Sequence, residues 1–228
     1  MQKVNSKVLS QNDPYAIKVG ADIIKKGGLI VAPTDTLYGI LADATSYTAV
    51  EKLYELRRPS RKPFIVLIPN TLWAEKLCGR LDYRILRLLS FPGLTVVLGK
   101  SSQLFYFLGI KSVALRVPQK GFVRKLLMLL DKPLVAPSAN QEGKPPARRV
   151  EEAIAFFGEK VDLYIDGGSC YGRPSTVVDL RKNVYREGCL SKKTVEKIFE
   201  LTCKIPCPEQ ALSQYFLYPC RSLPKQGS

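Results

Sequence analysis

The sequence predicts an α/β fold built on a mixed β-sheet. Apolar runs of strand length recur along the chain, and helical patterns lie between several of them. Two adjacent strand-like runs near the end, residues 176–180 and 184–186, are typical of a hairpin, so the sheet is not purely parallel. The chain has 228 residues, of which 46% are hydrophobic and 24% charged, and this balance favours a sizeable core over global disorder.

The elements follow in order. Asp13-Pro14 predicts a helix start, Ile17, Ala21 and Ile24 continue at helical spacing, and Gly27-Gly28 ends the helix. The predicted strands cover residues 29–32, 64–68, 94–98, 113–117, 134–136, 161–165, 176–180 and 184–186. The other predicted helices cover residues 47–56, 83–89, 122–130, 150–157 and 192–201.

This order predicts one domain over residues 13–202. Residues 203–228 contain four prolines and no clear period, so we expect a tail that lies on the surface or is partly disordered.

No charged-then-apolar signal opens the chain, and no apolar run approaches the ~20 residues needed to span a bilayer. We therefore expect a soluble cytoplasmic protein without a membrane contact.

The charge balance favours polyanionic partners. Lysine and arginine number 35 and aspartate and glutamate 20, which gives a net charge of +15. Nucleotides, RNA and acidic membrane surfaces all suit such an excess. The basic residues are scattered, so a merely soluble, basic surface is the alternative.

The absence of histidine excludes several classes of enzyme. A Ser-His-Asp triad, a Cys-His dyad and a histidine-rich metal site are impossible, because the chain has no histidine. The six cysteines form no CxxC pair, so a four-thiolate zinc site has the wrong spacing. We expect free thiols and no metal ligands.

The most informative stretch is residues 27–67. A buried-looking strand ends in Pro33-Thr34-Asp35-Thr36, where polar groups are well placed to form a ligand site. A helical stretch follows, and then a cationic turn over residues 57–63 that suits phosphate.

Three later segments share this design. Arg116 lies inside an apolar strand and needs an anionic partner or a solvent-lined cleft, unless it is an edge residue that reaches water. Ser138 and Asn140 follow another strand, and in extended backbone they would point the same way toward one ligand, although such residues are usually turn formers. Ser175 opens one strand of the predicted hairpin and Arg186 closes the other.

Together these segments resemble the YrdC family, the threonylcarbamoyl-AMP synthases. The matching motifs are PTDTLYG at residues 33–39, RRPxxKPF at 57–64, FPGLT at 91–95, ALRVP at 114–118, APSAN with GKPP at 136–146, STVVDL at 175–180 and YREG at 185–188. The resemblance covers roughly residues 13–202. Seven motifs in this order are far more specific than any one of them.

The resemblance implies a twisted α/β sheet around a positively charged cavity, and the single-domain form of the family. Family members condense L-threonine, bicarbonate and ATP into threonylcarbamoyl-adenylate and release pyrophosphate. A partner transferase then modifies tRNA, so a tRNA contact, including binding to double-stranded RNA, is expected. ATP is a substrate, and Mg2+ is expected with it.

The resemblance also implies roles for individual residues. Thr34, Arg116 and Ser175 would bind threonine, and Arg116 would hold its carboxylate. Residues expected to contact the nucleotide are Arg58, Lys62, Ser112, Ala136, Ser138, Asn140, Pro146 and Arg186. Among them, Arg58, Ser138 and Asn140 are expected to act in catalysis.

The chain departs from the family pattern at three positions. Leu56 replaces the lysine of the KxR motif, Leu67 replaces a common histidine, and Pro174 replaces an acidic residue. Arg57, Arg61 or Lys62 could compensate for the missing lysine. Two alternatives stay open: a non-catalytic RNA-binding or regulatory protein, and a carbamoyltransferase module that uses carbamoyl phosphate.

Overall fold

A computed structural model describes residues 7–57, 60–101 and 111–204. The strands in these ranges are β1 (Val8–Ser10), β2 (Ile30–Pro33), β3 (Tyr38–Asp43), β4 (Ile65–Leu67), β5 (Leu94–Gly99), β6 (Ser112–Arg116), β7 (Leu134–Val135), β8 (Leu163–Asp166), β9 (Thr176–Asp179) and β10 (Val184–Arg186). The α-helices are α1 (Ala16–Lys25), α2 (Tyr47–Arg57), α3 (Thr71–Cys78), α4 (Tyr83–Leu89), α5 (Gly121–Leu130), α6 (Val150–Phe157) and α7 (Lys192–Lys204).

The described strands form one mixed sheet of ten strands in the order β1-β8-β2-β3-β7-β4-β6-β5-β9-β10. The sheet contains both parallel pairs, such as β4 with β6, and antiparallel pairs, such as β2 with β3. β9 and β10 pair antiparallel, so the predicted hairpin is confirmed. The predicted mixed α/β sheet with flanking helices is therefore confirmed as well.

Helices cover both faces of the sheet because successive strand residues point to opposite sides. Ile30 and Ala32 belong to a core with the apolar residues of α1 and α5. Val31, between them, belongs to a larger core that includes residues of α2, α3, α4, α6 and α7. Every residue of β2 and β3 is buried, as expected for strands covered on both faces.

Three elements of the structure were not predicted. No element was predicted for β3, which lies between the predicted strand at 29–32 and the predicted helix at 47–56, because Tyr38 and Gly39 were interpreted as part of a ligand site. α3 begins after Asn70, whose side chain accepts a hydrogen bond from the Trp73 amide, a capping signal that the sequence does contain. β1 has only three residues, too few to show a period.

Some predicted helix boundaries differ from those in the structure. α1 begins at Ala16, two residues after Pro14, since the Asp13 carboxylate accepts a hydrogen bond from the Tyr15 amide and holds a turn there. α7 runs to Lys204, so the predicted boundary near residue 202 falls within its last turn. The rest of the proposed tail lies outside the described residues.

Four of the cysteines lie in the described ranges, and all four are free thiols: Cys78, Cys170, Cys189 and Cys203. Burial raises the pKa of the Cys78 thiol to about 11, which makes it a poor nucleophile at neutral pH. Cys207 and Cys220 lie outside the described residues.

In the part of the chain that the structure covers, no helix is both long and apolar enough to cross a bilayer.

Candidate active site

A cavity of about 360 Å³ opens where five separate parts of the chain meet. It lies beside the β2–β3 loop, the start of β4, the end of β6 and the β9–β10 hairpin, with the segment after β7 completing the wall. Its lining includes seven of the residues that the sequence proposed for ligand binding: Thr34, Arg116, Ala136, Ser138, Pro146, Ser175 and Arg186. The order of motifs along the sequence thus predicted which segments come together.

Arg116 is the buried cation of this cavity. It ends β6, pairs in register with Leu67 of β4, and is only 4% exposed. Its Nη2 lies 2.7 Å from Asp35 Oδ2, and its Nη1 donates to the Thr36 hydroxyl at 3.1 Å. The sequence argument that a strand arginine needs an anionic partner or a cleft is confirmed, because Arg116 has both.

One edge of the Arg116 guanidinium is left without hydrogen bonds. Nε and Nη2 are both buried and have no hydrogen-bond acceptor, because Asp35 Oδ2 lies close to Nη2 but outside hydrogen-bonding alignment. These two atoms form the edge of a guanidinium that binds a carboxylate through two parallel hydrogen bonds. Buried donors without acceptors are costly, so this edge is suited to an anionic ligand.

The Thr34 hydroxyl shapes the loop that joins β2 to β3. It donates to the Leu37 carbonyl at 2.7 Å and accepts from the amides of Thr36 and Leu37, each at 3.1 Å. Pro33 pairs with Tyr38 at the base of this four-residue hairpin loop. Thr34 therefore lines the cavity and also determines where Asp35 and Thr36 are placed.

The segment after β8 holds the same loop from outside the cavity. The Tyr38 hydroxyl donates to the Gly168 carbonyl at 2.8 Å and accepts from the Gly167 amide at 2.9 Å. Burial raises the pKa of Tyr38, so this hydroxyl stays protonated as a structural donor. The Cys170 thiol donates to the Thr36 carbonyl at 3.2 Å. A Cβ on Gly172 would lie 2.0 Å from the Thr36 carbonyl oxygen, so only glycine fits there.

Arg57 anchors the segment that carries Ser138 and Asn140. Its side chain is buried and donates from Nε to the Ser138 carbonyl at 3.0 Å. Its Nη2 donates to the Ser138 hydroxyl at 3.2 Å and to Asn140 Oδ1 at 3.1 Å. Leu56, at the position of the missing lysine, packs against the larger hydrophobic core. The cation next to Ser138 therefore comes from Arg57.

The expectation that Ser138 and Asn140 extend toward one ligand was wrong in its geometry. The Asn140 amide donates to the Ser138 carbonyl at 2.9 Å, so the backbone turns between them instead of extending. The Ser138 hydroxyl donates to Asn140 Oδ1 at 2.6 Å, and Asn140 Nδ2 donates to the carbonyls of Gln141 and Lys144. Ser138 lines the cavity, and Asn140 holds the loop behind it.

Ser175 and Arg186 form the opposite wall. Ser175 is 2% exposed, and its hydroxyl lies 2.8 Å from that of Thr95, also buried. Arg186, on β10, donates from Nη2 to the Ser175 carbonyl at 3.0 Å and to its hydroxyl at 3.2 Å. The β9–β10 hairpin thereby places Arg186 next to Ser175, a candidate residue for substrate binding.

The remaining predicted residues lie elsewhere. Lys62 and Ser112 are exposed and do not line the cavity. Arg58 lies outside the described residues. Among the described residues, no group of three or more acidic or cysteine side chains is arranged to hold a metal ion.

Asp35 and Thr36 stand in the first motif and were predicted to be near a ligand site, but neither was given a role of its own. The signal was available for Asp35: an arginine buried in a strand requires an anion, and Asp35 is the acidic residue of the neighbouring loop. Arg57 was named only as one of several substitutes for the missing lysine. Nothing in the sequence alone distinguishes it from Arg61, which is exposed and pairs with Glu51.

The chain is similar to known proteins in both sequence and structure. The family model Sua5/YciO/YrdC, described as "Telomere recombination", matches residues 22–188. Threonylcarbamoyl-AMP synthase of Pyrococcus abyssi is 33% identical over 82% of this chain and 58% of its own length. The Bacillus subtilis protein of the same name is 30% identical over 83% of this chain and 58% of its own.

A solved structure of Pyrococcus abyssi Sua5 in complex with L-threonine superposes with a TM-score of 0.76. It is 31% identical to this chain, and the match covers 84% of this chain and 60% of that one. The chain thus spans about three fifths of the length of these relatives. From the extent of the family match, the chain belongs to the Sua5/YciO/YrdC family.

Proposed function

We propose that this protein is an L-threonylcarbamoyladenylate synthase. It condenses L-threonine, bicarbonate and ATP into threonylcarbamoyl-AMP and releases pyrophosphate. The observation that carries the proposal is the buried Nε/Nη2 edge of Arg116, which lacks acceptors in a cavity that also contains Ser138 and Arg186. The names of the relatives in Pyrococcus abyssi and Bacillus subtilis support the same activity.

The threonine side of the proposed site consists of Arg116, Thr34 and Ser175. Arg116 binds the substrate carboxylate through Nε and Nη2, the two donors that lack acceptors, since this edge matches two parallel N–H···O bonds. Ser175, opposite, offers a buried hydroxyl whose neighbour is Thr95. The complex of Pyrococcus abyssi Sua5 with L-threonine supports this choice of ligand.

The nucleotide side consists of the segment after β7 and the hairpin arginine. Ser138, Ala136 and Pro146 supply the wall, and Arg186 neutralises phosphate charge above Ser175. Arg57 fixes the Ser138 loop, so its positive charge lies next to the proposed phosphates. Arg58, Lys62, Ser112 and Asn140 remain proposed nucleotide-binding residues, and Arg58, Ser138 and Asn140 are still our candidates for catalysis. A net positive cavity is part of the same proposal.

The chemistry needs no histidine. The threonine ammonium loses a proton to solvent, and the neutral amine attacks carbon dioxide, which bicarbonate supplies by taking up a proton and losing water. The nitrogen then releases a second proton to solvent, which leaves a carbamate. A carbamate oxygen then attacks the α-phosphorus of ATP, and the bond to pyrophosphate breaks. The substrates supply both nucleophiles, so the protein has only to align them and stabilise developing negative charge with arginines and hydroxyls.

Mg2+ is proposed to arrive with ATP. Magnesium commonly binds through substrate phosphates and one or two carboxylates, and the described residues contain no group that would hold it alone. We further propose that a transferase partner in the cytoplasm takes up the product and passes the threonylcarbamoyl group to tRNA. The net charge of +15 supports a direct contact with tRNA, including its double-stranded parts.

Pyrophosphate release by the purified protein tests this function. The protein is incubated with ATP, Mg2+ and bicarbonate, with and without L-threonine, and the nucleotide product is identified by mass spectrometry. We expect release that requires threonine, together with a threonylcarbamoyl-adenylate mass. ATP binding without threonine-dependent release would contradict the proposal and favour the non-catalytic alternative. Release that requires carbamoyl phosphate and ignores bicarbonate would favour the carbamoyltransferase.

A further inference from the structure

The anionic partner of Arg116 is itself incompletely bonded. Asp35 lies between two residues that line the cavity, Thr34 and Thr36, and its side chain is 6% exposed. Its Oδ2 is 2.7 Å from Arg116 Nη2, whereas its buried Oδ1 has no hydrogen-bond donor. A buried carboxylate oxygen without a donor is as costly as a buried donor without an acceptor.

The loop does not need this carboxylate to keep its shape. The Thr34 hydroxyl supplies the side-chain hydrogen bonds that form the turn, and the Tyr38 hydroxyl joins it to the segment after β8. The carboxylate of Asp35 is directed at Arg116 instead. The pair therefore combines two buried donors without acceptors, Arg116 Nε and Nη2, with a buried acceptor without a donor, Asp35 Oδ1.

The charges of this pair select the kind of ligand that it suits. Asp35 and Arg116 together are neutral, so a simple carboxylate at the guanidinium would bring a second negative charge next to Asp35 without compensation. A ligand that carries an ammonium group beside its carboxylate compensates both partners at once. In a buried site with a low dielectric constant an unpaired charge is costly, so this compensation favours the zwitterionic ligand.

We propose that Asp35 is the specificity-determining residue that restricts the cavity to zwitterionic α-amino acids, by binding or compensating the substrate ammonium group next to Arg116. This inference deepens the proposed function and rests on it for the identity of the amino acid as threonine. It assigns to Asp35 the selection of the amine that later becomes the nucleophile.

Calorimetric binding to the full chain tests the inference without any turnover. The ligands are L-threonine and β-hydroxybutyrate, which keeps the carboxylate and hydroxyl but lacks the amine. The wild type is compared with Asp35→Asn, which removes the charge and keeps the shape. Asp43→Asn is the matched control, because Asp43 is also buried in an ion pair, with Lys132, away from the cavity.

We expect the wild type and Asp43→Asn to prefer L-threonine. In Asp35→Asn, the ratio of the two dissociation constants should fall by about tenfold or more, since a hydrogen bond to a charged group is worth about that factor. An unchanged ratio in folded Asp35→Asn would overturn the inference. If Asp35→Asn does not fold, the wild-type protein alone provides the test. Equal wild-type affinity for L-threonine and β-hydroxybutyrate would also overturn the inference.

The same experiments distinguish failure of this inference from failure of the proposed function. Formation of threonylcarbamoyl-adenylate, with an unchanged ratio in Asp35→Asn, would overturn only the inference. Binding of L-serine or L-valine in place of threonine, with the same dependence on Asp35, would support the inference and overturn the proposed substrate. Binding of no L-amino acid by the wild type would overturn both.

Discussion

Arg116 and Arg57 show how one residue type does two different tasks at the residue scale. The Arg116 guanidinium contacts Thr36 and Asp35, and its buried Nε and Nη2 have no hydrogen-bond acceptor. Arg57 donates hydrogen bonds to Ser138 and Asn140 and stabilises a loop. The surroundings of Arg116 suit ligand binding, whereas Arg57 supports a loop that lines the cavity.

Arg116→Ala should weaken threonine binding by about tenfold or more, because it removes charge-assisted hydrogen bonds to the substrate carboxylate. The threonine concentration that half-saturates pyrophosphate release is the quantity to measure. Arg84→Ala, which removes an arginine paired with Asp82 outside the cavity, is the control and should leave this concentration unchanged. Threonine dependence that survives Arg116→Ala intact would show that the carboxylate binds elsewhere.

Arg57→Gln should reduce the free energy of unfolding by about 1–3 kcal/mol, since it leaves buried acceptors of Ser138 and Asn140 without their donor. It should also weaken ATP binding, as the Ser138 loop loses its support. Urea unfolding and nucleotide titration measure the two effects. Arg87→Gln, at an exposed arginine of α4 away from the cavity, should change neither. Equal effects of the two variants would contradict the anchoring role of Arg57.

At the scale of elements, the site depends on how loops are held by their neighbours. The β2–β3 loop is fixed from inside by Thr34 and from outside by residues 167–172. The β9–β10 hairpin places Arg186 over Ser175 on the opposite wall. Neither loop reaches its position through its own sequence alone.

Gly172→Ala should therefore disturb threonine binding from outside the cavity. Its Cβ would meet the Thr36 carbonyl at 2.0 Å, so the loop with Asp35 and Thr36 must shift. We expect a threonine affinity lower by about tenfold, because the shift disturbs the two groups that orient Arg116. Gly99→Ala is the control, as a Cβ there meets no atom within 4 Å. Unchanged affinity in Gly172→Ala would show that the loop is not held from this side.

Sequence reasoning succeeded where a local pattern and its tertiary setting agree. The amphipathic spacing of α5 and the apolar run of β6 were predicted because burial follows directly from them. β3 was missed since its polar and glycine start resembles a ligand loop, whereas its buried neighbours on both sides make it a strand. The partners of Ser138 could not be predicted, because Arg57 is 81 residues away in the sequence.

At the scale of the whole molecule, the net charge supports the proposed contact with tRNA. A net charge of +15 on a chain of this size favours an RNA contact. Sequence motifs predicted the family and the segments that form the cavity. They did not predict that Asp35 compensates Arg116, because that pairing depends on the fold of the β2–β3 loop.

A contact with tRNA should be strongly dependent on salt. Neutralised phosphates release counterions, so affinity should fall by about tenfold or more between about 50 and 200 mM salt. Filter binding of tRNA over that range measures it, with an acidic protein of similar size as the control. A weak interaction that does not change with salt would contradict an electrostatic contact.

The most direct test of the central claim is the fate of isotopically labelled bicarbonate. The protein is supplied with labelled bicarbonate, L-threonine, ATP and Mg2+, and the nucleotide product is analysed by mass spectrometry. We predict that the label appears in threonylcarbamoyl-AMP and that Arg116→Ala lowers its yield at limiting threonine. A product without the label, or no nucleotide product other than unchanged ATP, would contradict the claim that this cavity joins threonine, bicarbonate and ATP.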